Sequence, residues 1–375
     1  LHDKTNFRKS LLLRKQYVYR PLIQLSESAI NGNCSFVDSK LGLPSQNDLI
    51  KDFVPYDVKF YEVCYFYFNV VLCRNTKTKS VTSDIYKVYL IENNELLNYK
   101  EFLINAFNIF VDINGKSYLK NNKKKFEEYR NRYFECNSKS IPATIETNEI
   151  YLSSSKYHES LGISRLLRVA IVNKYVDSKD FILSLLNKRK VKSDEIETFF
   201  SILDNIEKTK ECDLFIQPEL SLPHTLIPEY LRYCSIKQKG FITGVEYITI
   251  DNVGFNFVLT CLPIEIEGVK DAVPIFRLKN HYSPEEQALI RGKHMVTPIY
   301  KPSGENKYRY DLFVWKEVYF SVYYCFELAD IIHRTVWLSK IDANFAPLWN
   351  KDTYYYNNIA DSTVRDLHCY YIQAN

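Results

Sequence analysis

The sequence predicts an α/β fold preceded by an N-terminal α+β extension, and three observations carry that expectation. From residue 166 onward, short apolar strands alternate with segments of helical period. Residues 53–92 are dense in aromatic and β-branched residues, the composition of strands. Residues 137–160 are rich in Ser, Thr and Asn, which reads as a linker and puts a boundary near 160. The expected units are an extension or connector over 1–160 and an α/β domain over 161–375.

Taken in order, Lys4 to Arg20 mixes basic residues with Leu11, Leu12 and Leu13, which suggests a basic helix ahead of a loop. Val58–Leu72 reads as a strand, Asn75–Ser83 as a turn and Ile85–Ile91 as a returning strand. A helix is expected over Leu96–Phe110. Lys116–Lys125, with Lys123, Lys124 and Lys125 in a row, leads into helical Phe126–Phe134. Basic residues mixed with Tyr118, Tyr129 and Tyr133 suit nucleic acid, although a solvated helix face is the commoner meaning of such a run.

In the second unit, Arg168–Asn173 is a short buried strand. Ser193 caps a helix with Asp194 and Glu195 in its first turn and a stripe of Ile196, Phe199, Phe200, Leu203 and Ile206. Cys212–Gln217 is a strand running into Pro218–Pro223. Strands follow at Gly240–Thr249, Gly254–Ile266 and Val273–Leu278. Val318, Phe320, Val322 and Tyr324 alternate with Tyr319, Ser321 and Tyr323, the period of a strand with two unlike faces. After Cys325 the period turns helical, with Leu328, Ile332 and Val336 as its stripe. A strand at Ile341–Phe345, a helix at Asn357–Leu367 and a strand at Cys369–Asn375 close the chain.

Composition narrows the function classes. Apolar content of 46% in 375 residues allows a sizeable core. With only 10 glycines, neither a phosphate loop nor a dinucleotide fingerprint is present. A net charge of +4 is too small to argue for nucleic acid by itself. The nine cysteines are odd in number and contain no Cys-x-x-Cys pair, which favours a reducing cytoplasm over disulfides or zinc. His224, His281 and His294 lack the spacing of metal ligands, so no metal is expected. No apolar run nears the ~20 residues of a membrane span and no signal peptide opens the chain, so no membrane partner is expected. Leu1 in place of an initiator, with Met295 the single methionine, suggests a segment of a longer protein.

Three polar residues share a position just beyond an apolar strand: Glu219, Lys279 and Cys325. Strand ends are where α/β folds present chemistry. A cysteine taken at random is more often inert and buried. At a strand-to-helix junction, however, free backbone N–H groups lower a thiol pKa and serve a developing oxyanion. The types fit one task, since a carboxylate takes the thiol proton, a thiolate attacks carbon and an ammonium steadies the oxyanion. His281, close to Lys279, is a candidate pocket-lining residue, against the commoner reading of an ordinary loop histidine. Trp349 and the Tyr354–Tyr356 run are candidates for a pocket wall or an oligomer interface, with core packing equally expected.

The ordered pieces resemble the nitrilase, or carbon–nitrogen hydrolase, superfamily over about residues 165–375. Arg168-Val-Ala-Ile-Val is similar to its opening strand and Cys212-Asp-Leu-Phe-Ile-Gln-Pro-Glu219 to its glutamate segment. Phe276-Arg-Leu-Lys279-Asn-His resembles the lysine segment and Tyr324-Cys325-Phe-Glu-Leu the nucleophile elbow. Ala346-Pro-Leu-Trp349-Asn and Val364–Asn375 resemble the later strand and helix. The resemblance implies a four-layer α-β-β-α sandwich and no cofactor, and a small amide or nitrile as substrate. It implies Glu219 as general base, Cys325 as nucleophile, and Lys279 with the Phe326 N–H as oxyanion hole. It adds a second glutamate, for which Glu286 is favoured over Glu285.

The chain departs from the family where many members carry Phe-Pro after the nucleophile and this one carries Phe326-Glu327, a glutamate expected to cap or anchor. The family domain also runs on beyond the point matched by Asn375, which implies a truncated sandwich. The Lys-, Tyr- and Asn-rich first 160 residues resemble bacterial antiphage defence proteins that join a reverse transcriptase to a nitrilase-like domain. That likeness implies an upstream polymerase module as a nucleic-acid contact, while the nitrilase resemblance, a family that pairs subunits through helices near the elbow, implies a homo-oligomer. The alternative to an enzyme is a catalytically retired scaffold that assembles such a protein.

Overall fold

The computed structural model describes residues 58–75, 80–82, 87–91, 99–141, 145–152, 167–209, 211–250, 252–300 and 308–375, and its first element is a helix where the sequence predicts a strand. Helix α1 (Phe60–Asn75) buries Phe60, Tyr61, Val63, Cys64, Phe66, Tyr67, Phe68, Val71 and Leu72. A helix buried on nearly every side has no polar face to betray its period, so its apolar run imitates a strand. Its start is fixed from far away: the N–H groups of Phe60 and Tyr61 donate to the carboxylate of Asp271 at 2.7 and 3.3 Å. The basic helix expected before residue 50 lies outside the described residues.

Strands β1 (Ser80–Thr82) and β2 (Lys87–Ile91) form a small antiparallel ladder. Helix α2 (Tyr99–Ile113) buries Tyr99, Phe102, Leu103, Phe107 and Phe110. Helix α3 (Lys123–Asn131) starts at Asn122, whose side chain accepts from the Lys125 N–H. Lys123, Lys124 and Lys125 face solvent, while Tyr129 and Tyr133 turn inward to an aromatic cluster with Phe107. Tyr118 remains exposed.

Residues 135–151, read above as mostly linker, are two paired strands, β3 (Glu135–Ile141) and β4 (Ile145–Tyr151). Their Ser, Thr and Asn residues misled because the polar groups are satisfied within the fold. Asn148 donates to Asp311 at 2.9 Å and Thr147 to the Lys139 carbonyl at 2.9 Å. Ile150 joins the main core, and Ile145 on the opposite face of β4 joins a second buried cluster.

The remaining elements are β5 (Val169–Ile171), α4 (Ser178–Leu185), α5 (Ser193–Lys208), β6 (Leu214–Ile216), α6 (Ile227–Lys237) and β7 (Gly240–Gly244). Then come β8 (Ile248–Ile250), β9 (Val253–Phe255), β10 (Phe257–Ile266), β11 (Val269–Leu278), α7 (Pro284–Gly292) and β12 (Pro298–Tyr300). The chain ends with β13 (Tyr308–Trp315), β14 (Val318–Val322), α8 (Ile331–Arg334), β15 (Ala343–Pro347), α9 (Thr353–Leu367) and β16 (Tyr370–Ala374).

Two sheets form the centre. One has the order β11-β10-β7-β6-β5 and the other β16-β15-β14-β13-β4-β3. In the first, β5, β6 and β7 are parallel and β10–β11 is an antiparallel hairpin. In the second, β14, β15 and β16 are parallel, and β4 joins β13 in parallel register, Ile145 opposite Tyr308. The sheets meet through apolar side chains and cross-sheet bonds, among them Trp315 Nε1 to the Pro263 carbonyl at 3.3 Å. Helices α1 and α6 cover the first sheet and α9 covers the second, giving the four α-β-β-α layers. Among the described residues, no helix is long and apolar enough to cross a membrane.

The long helix expected after Cys325 is instead three short turns: 3-10 at Cys325–Ala329, α8, and 3-10 at Thr335–Trp337. Asp330 is extended and its carboxylate accepts the His333 N–H at 3.1 Å, restarting the helix and breaking the stripe. Leu328 is buried, but Ile332 is 73% exposed.

Candidate active site

Glu219, Lys279 and Cys325 follow the C-terminal ends of β6, β11 and β14, and the packing of the two sheets brings these ends together. Glu219 is anchored through its backbone, donating its N–H to the Leu348 carbonyl beyond β15 at 3.0 Å. The next residue, Leu220, has φ 55°. Gly244 at the end of β7 permits this turn, because a Cβ there would lie 2.6 Å from both Glu219 Cα and Leu220 N.

Lys279 is the hub. Its Nζ donates to Glu219 Oε1 and to Glu286 Oε2, each at 2.6 Å, and sits about equally far from the Tyr282 and Tyr324 rings, 5.4 and 5.5 Å from their centroids. Its backbone N–H donates to the Asn256 carbonyl at 2.8 Å. Glu286 is in the first turn of α7, where Ser283 caps the helix by accepting the Glu286 N–H at 3.1 Å. Glu285, its neighbour, is exposed. Tyr247 donates its hydroxyl to Glu286 Oε1 at 2.7 Å.

Cys325 adopts φ 51°, a left-handed conformation that a non-glycine residue holds only when its surroundings enforce it. The turn brings the thiol into contact with the Glu219 carboxylate, and Tyr356 of α9 adjoins it with Oη 3.6 Å from Sγ. Burial pushes the thiol pKa well up, the Glu219 charge pushes it further, and the Lys279 ammonium draws it back. Burial alone would lower Lys279, but the Glu219 and Glu286 carboxylates outweigh it and hold the ammonium firmly protonated. Burial raises Glu219, with Lys279 opposing and Glu286 reinforcing. Such a site keeps a protonated thiol at rest beside a carboxylate able to take its proton.

The other expected residues fall in three places. Phe326 begins the turn directly after Cys325, half-buried. Trp349 approaches Cys325 through a backbone hydrogen bond, while its ring packs on Phe181 at 5.5 Å. His281 turns away from Lys279 and meets His333, with its ring stacked on Tyr308. Its side chain is therefore not placed on the Glu219–Lys279 side.

Sequence reasoning missed Asn256, whose amide links the cluster. Its Nδ2 donates to Glu219 Oε1 at 3.2 Å and its Oδ1 accepts the Tyr324 hydroxyl at 2.9 Å. The available signal was a lone amide between two apolar strands, a group that must find partners when buried. Tyr247 gave no such signal, since tyrosine is common throughout this chain, whereas Tyr356 belongs to the Tyr354–Tyr356 run named above as a candidate pocket wall.

No family model matches the chain. An uncharacterized 35.4 kDa protein from the rbcL–atpE intergenic region of Euglena gracilis is 27% identical over 139 residues, 36% of this chain and 47% of that protein. The chain thus spans about half the length of the curated relative it matches. Among solved structures, a CN-hydrolase superfamily protein of Xanthomonas campestris with an arsenic adduct in its active site aligns at 12% identity. That match covers 55% of this chain and 74% of the other, with a TM-score of 0.37. An amidase from Nesterenkonia sp. aligns at 11% identity over 56% and 75%, with a TM-score of 0.38. A variant of that amidase carries the acetamide moiety of fluoroacetamide on its active-site cysteine; it aligns at 11% identity over 56% and 75%, with a TM-score of 0.37.

Proposed function

We propose that the unit over residues 161–375 hydrolyses a small amide or related non-peptide C–N bond in the manner of the carbon–nitrogen hydrolases that the sequence resembles. The observation carrying this reading is the Lys279 ammonium held between Glu219 and Glu286 next to a buried thiol on a strained turn. Glu219 takes the Cys325 proton as sulfur attacks the amide carbon. Lys279 and the Phe326 N–H hold the oxyanion. The C–N bond breaks as the amine leaves with the proton from Glu219, producing a thioester. Glu219, assisted by Glu286, then deprotonates a water that releases the acid and returns the thiol.

The closed surroundings of Cys325, 5% exposed beside Tyr356, favour a small substrate. The same closure is what a retired scaffold would display, and one experiment separates the two. Wild type, Cys325→Ala and Cys325→Ser are treated with a small electrophilic amide probe, and labelled peptides are located by mass spectrometry, alongside ammonia release from a panel of primary amides. The enzyme reading expects labelling at Cys325 and turnover in the wild type alone. Equal labelling in all three proteins, or none in any, favours the scaffold.

We further place this domain in a reverse-transcriptase-linked antiviral protein that forms a homo-oligomer. The Lys-, Tyr- and Asn-rich composition of residues 1–160 supports the first point, and the resemblance to a family that pairs subunits near the elbow supports the second. Polymerase activity in the natural full-length product, with its mass in solution, tests both points.

A further inference from the structure

His281 leaves the Lys279 side of its strand end and enters a second cluster. Its Nε2 is in direct hydrogen-bond contact with His333 Nδ1 and lies 4.0 Å from Asp330 Oδ2. These three donor atoms all lie within 4.8 Å of one another, the one such His/Cys/Asp/Glu group among the described residues. We propose that His281, Asp330 and His333 form a binding site for one divalent transition-metal ion of the zinc type, separate from the Glu219–Lys279–Cys325 cluster.

The donor set is two imidazoles and one carboxylate, which suits zinc, cobalt or ferrous iron and leaves a position for water. Zinc bonds of ~2.0–2.1 Å in a tetrahedron place ligand atoms ~3.3 Å apart. That spacing lies between the close imidazole contact and the 4.0 Å to Asp330. Side-chain adjustments that bring the three donor atoms, all within 4.8 Å of one another, to that spacing would convert the cluster to a coordination shell. Two imidazole nitrogens facing each other at hydrogen-bond distance share one proton, and an ion would take the place of that proton.

The ligands are held ready from behind. Asp330 spends Oδ1 on the His333 N–H, which fixes its rotamer and leaves Oδ2 facing His281. Tyr308 stacks on His281 with ring centroids 4.7 Å apart and lies 4.5 Å from His333. The Tyr310 hydroxyl contacts the ligating nitrogen itself, 3.2 Å from His333 Nδ1, and would give up that contact to an ion. His333 is buried while His281 and Asp330 are partly exposed, so one side stays open to an incoming ion. The nearby Arg277 charge is already neutralised by Glu327.

The site would join two segments that matter elsewhere. His281 is two residues beyond Lys279, and Asp330 and His333 follow Cys325 by five and eight residues. An ion here would brace the strand end bearing the lysine against the turn bearing the thiol.

The test is titration of the untagged, chelator-treated chain with cobalt(II), with zinc competition, and metal counting after dialysis. One equivalent should give visible d–d bands without the ultraviolet charge-transfer band of a thiolate ligand. Asp330→Asn retains the oxygen that caps α8, so it should fold while losing affinity by at least tenfold, as ~10–100-fold already attends loss of supporting groups. The His281→Ala/His333→Ala double variant should lose the bands altogether, with folding checked by circular dichroism. Three results would overturn the proposal: no binding by wild type, a thiolate band marking one of the cysteines, or affinity unchanged in folded Asp330→Asn.

Discussion

Arg277 and Glu327 form a bidentate ion pair between the two sheets, with Nη1–Oε1 at 2.7 Å and Nη2–Oε2 at 2.8 Å, and both side chains almost wholly buried. Arg277 also donates to the Val322 carbonyl at 2.9 Å, and Glu327 accepts the N–H groups of Tyr324 and Asn280 at 2.8 and 2.7 Å. One carboxylate thereby holds the residue before Cys325 and the residue after Lys279. It fixes the separation of thiol and ammonium from the side opposite the reacting atoms.

Glu327→Ala strands a buried guanidinium and two N–H donors, and should cost ~3–5 kcal/mol of stability. Glu327→Gln keeps one acceptor and should cost less. Urea unfolding of the three proteins gives the order, and a Glu327→Ala variant as stable as wild type would show that the pair is dispensable.

Gly244→Ala tests the closeness of β7 to the glutamate turn. The added methyl meets Glu219 Cα and Leu220 N, neither of which is a flexible side-chain end, and also the Tyr324 hydroxyl, which Asn256 holds. Overpacking of this kind costs ~1–3 kcal/mol. The larger effect should be on Cys325 labelling, since Glu219 must shift to make room. Unchanged labelling rates in a folded variant would contradict the packing.

Much of the second unit was legible because its buried strands are apolar runs that end in polar residues. Glu219, Lys279 and Cys325 each end an apolar run, and Glu286 was separable from Glu285 only through the family likeness, whereas in the structure Ser283 caps α7 and leaves Glu286 facing Lys279. What stayed hidden depended on long-range partners. The cap of α1 is Asp271, 211 residues away from Phe60, so no local pattern marks the helix start. β3 and β4 looked like linker because Asn148 finds Asp311 across 163 residues. The His281–His333 contact spans 52 residues, beyond any i, i+4 search for ligands. Asp330 restarts the helix after Cys325, and an apolar period carries no record of such a break.

The electrostatics of Cys325 give a pH prediction with a definite sign. Burial first and the Glu219 charge second raise the thiol pKa, so removing that charge must lower it. In Glu219→Gln the ultraviolet thiolate signal, taken as the difference from the matching Cys325→Ser protein, should appear at lower pH than in wild type. Under the proposed mechanism hydrolysis should nonetheless fall by about 10²–10⁴-fold, because the group removed is the one assigned there as proton acceptor. A thiolate that forms at higher pH in the variant would mean that Glu219 assists ionisation at rest, contrary to the geometry of a buried carboxylate already paired with Lys279.

The last prediction concerns how the N-terminal residues attach. Asp271 on β11 accepts from Phe60 N at 2.7 Å, Tyr61 N at 3.3 Å and Ala272 N at 2.7 Å, so a sheet residue supplies the cap of α1. Phe60 stacks on Phe134 with centroids 5.7 Å apart and meets Phe107, Phe110 and Tyr133 edge-on, which commits α1, α2 and the approach to β3 to the same cluster. Asp271→Ala orphans buried N–H groups at ~1–3 kcal/mol each. Phe60→Ala leaves a cavity costing ~3–5 kcal/mol. If the helix and the sheets share one core, each variant lowers the single urea midpoint of the whole chain. A first transition confined to α1 and α2, with Cys325 labelling intact after it, would instead mark those helices as a separable layer.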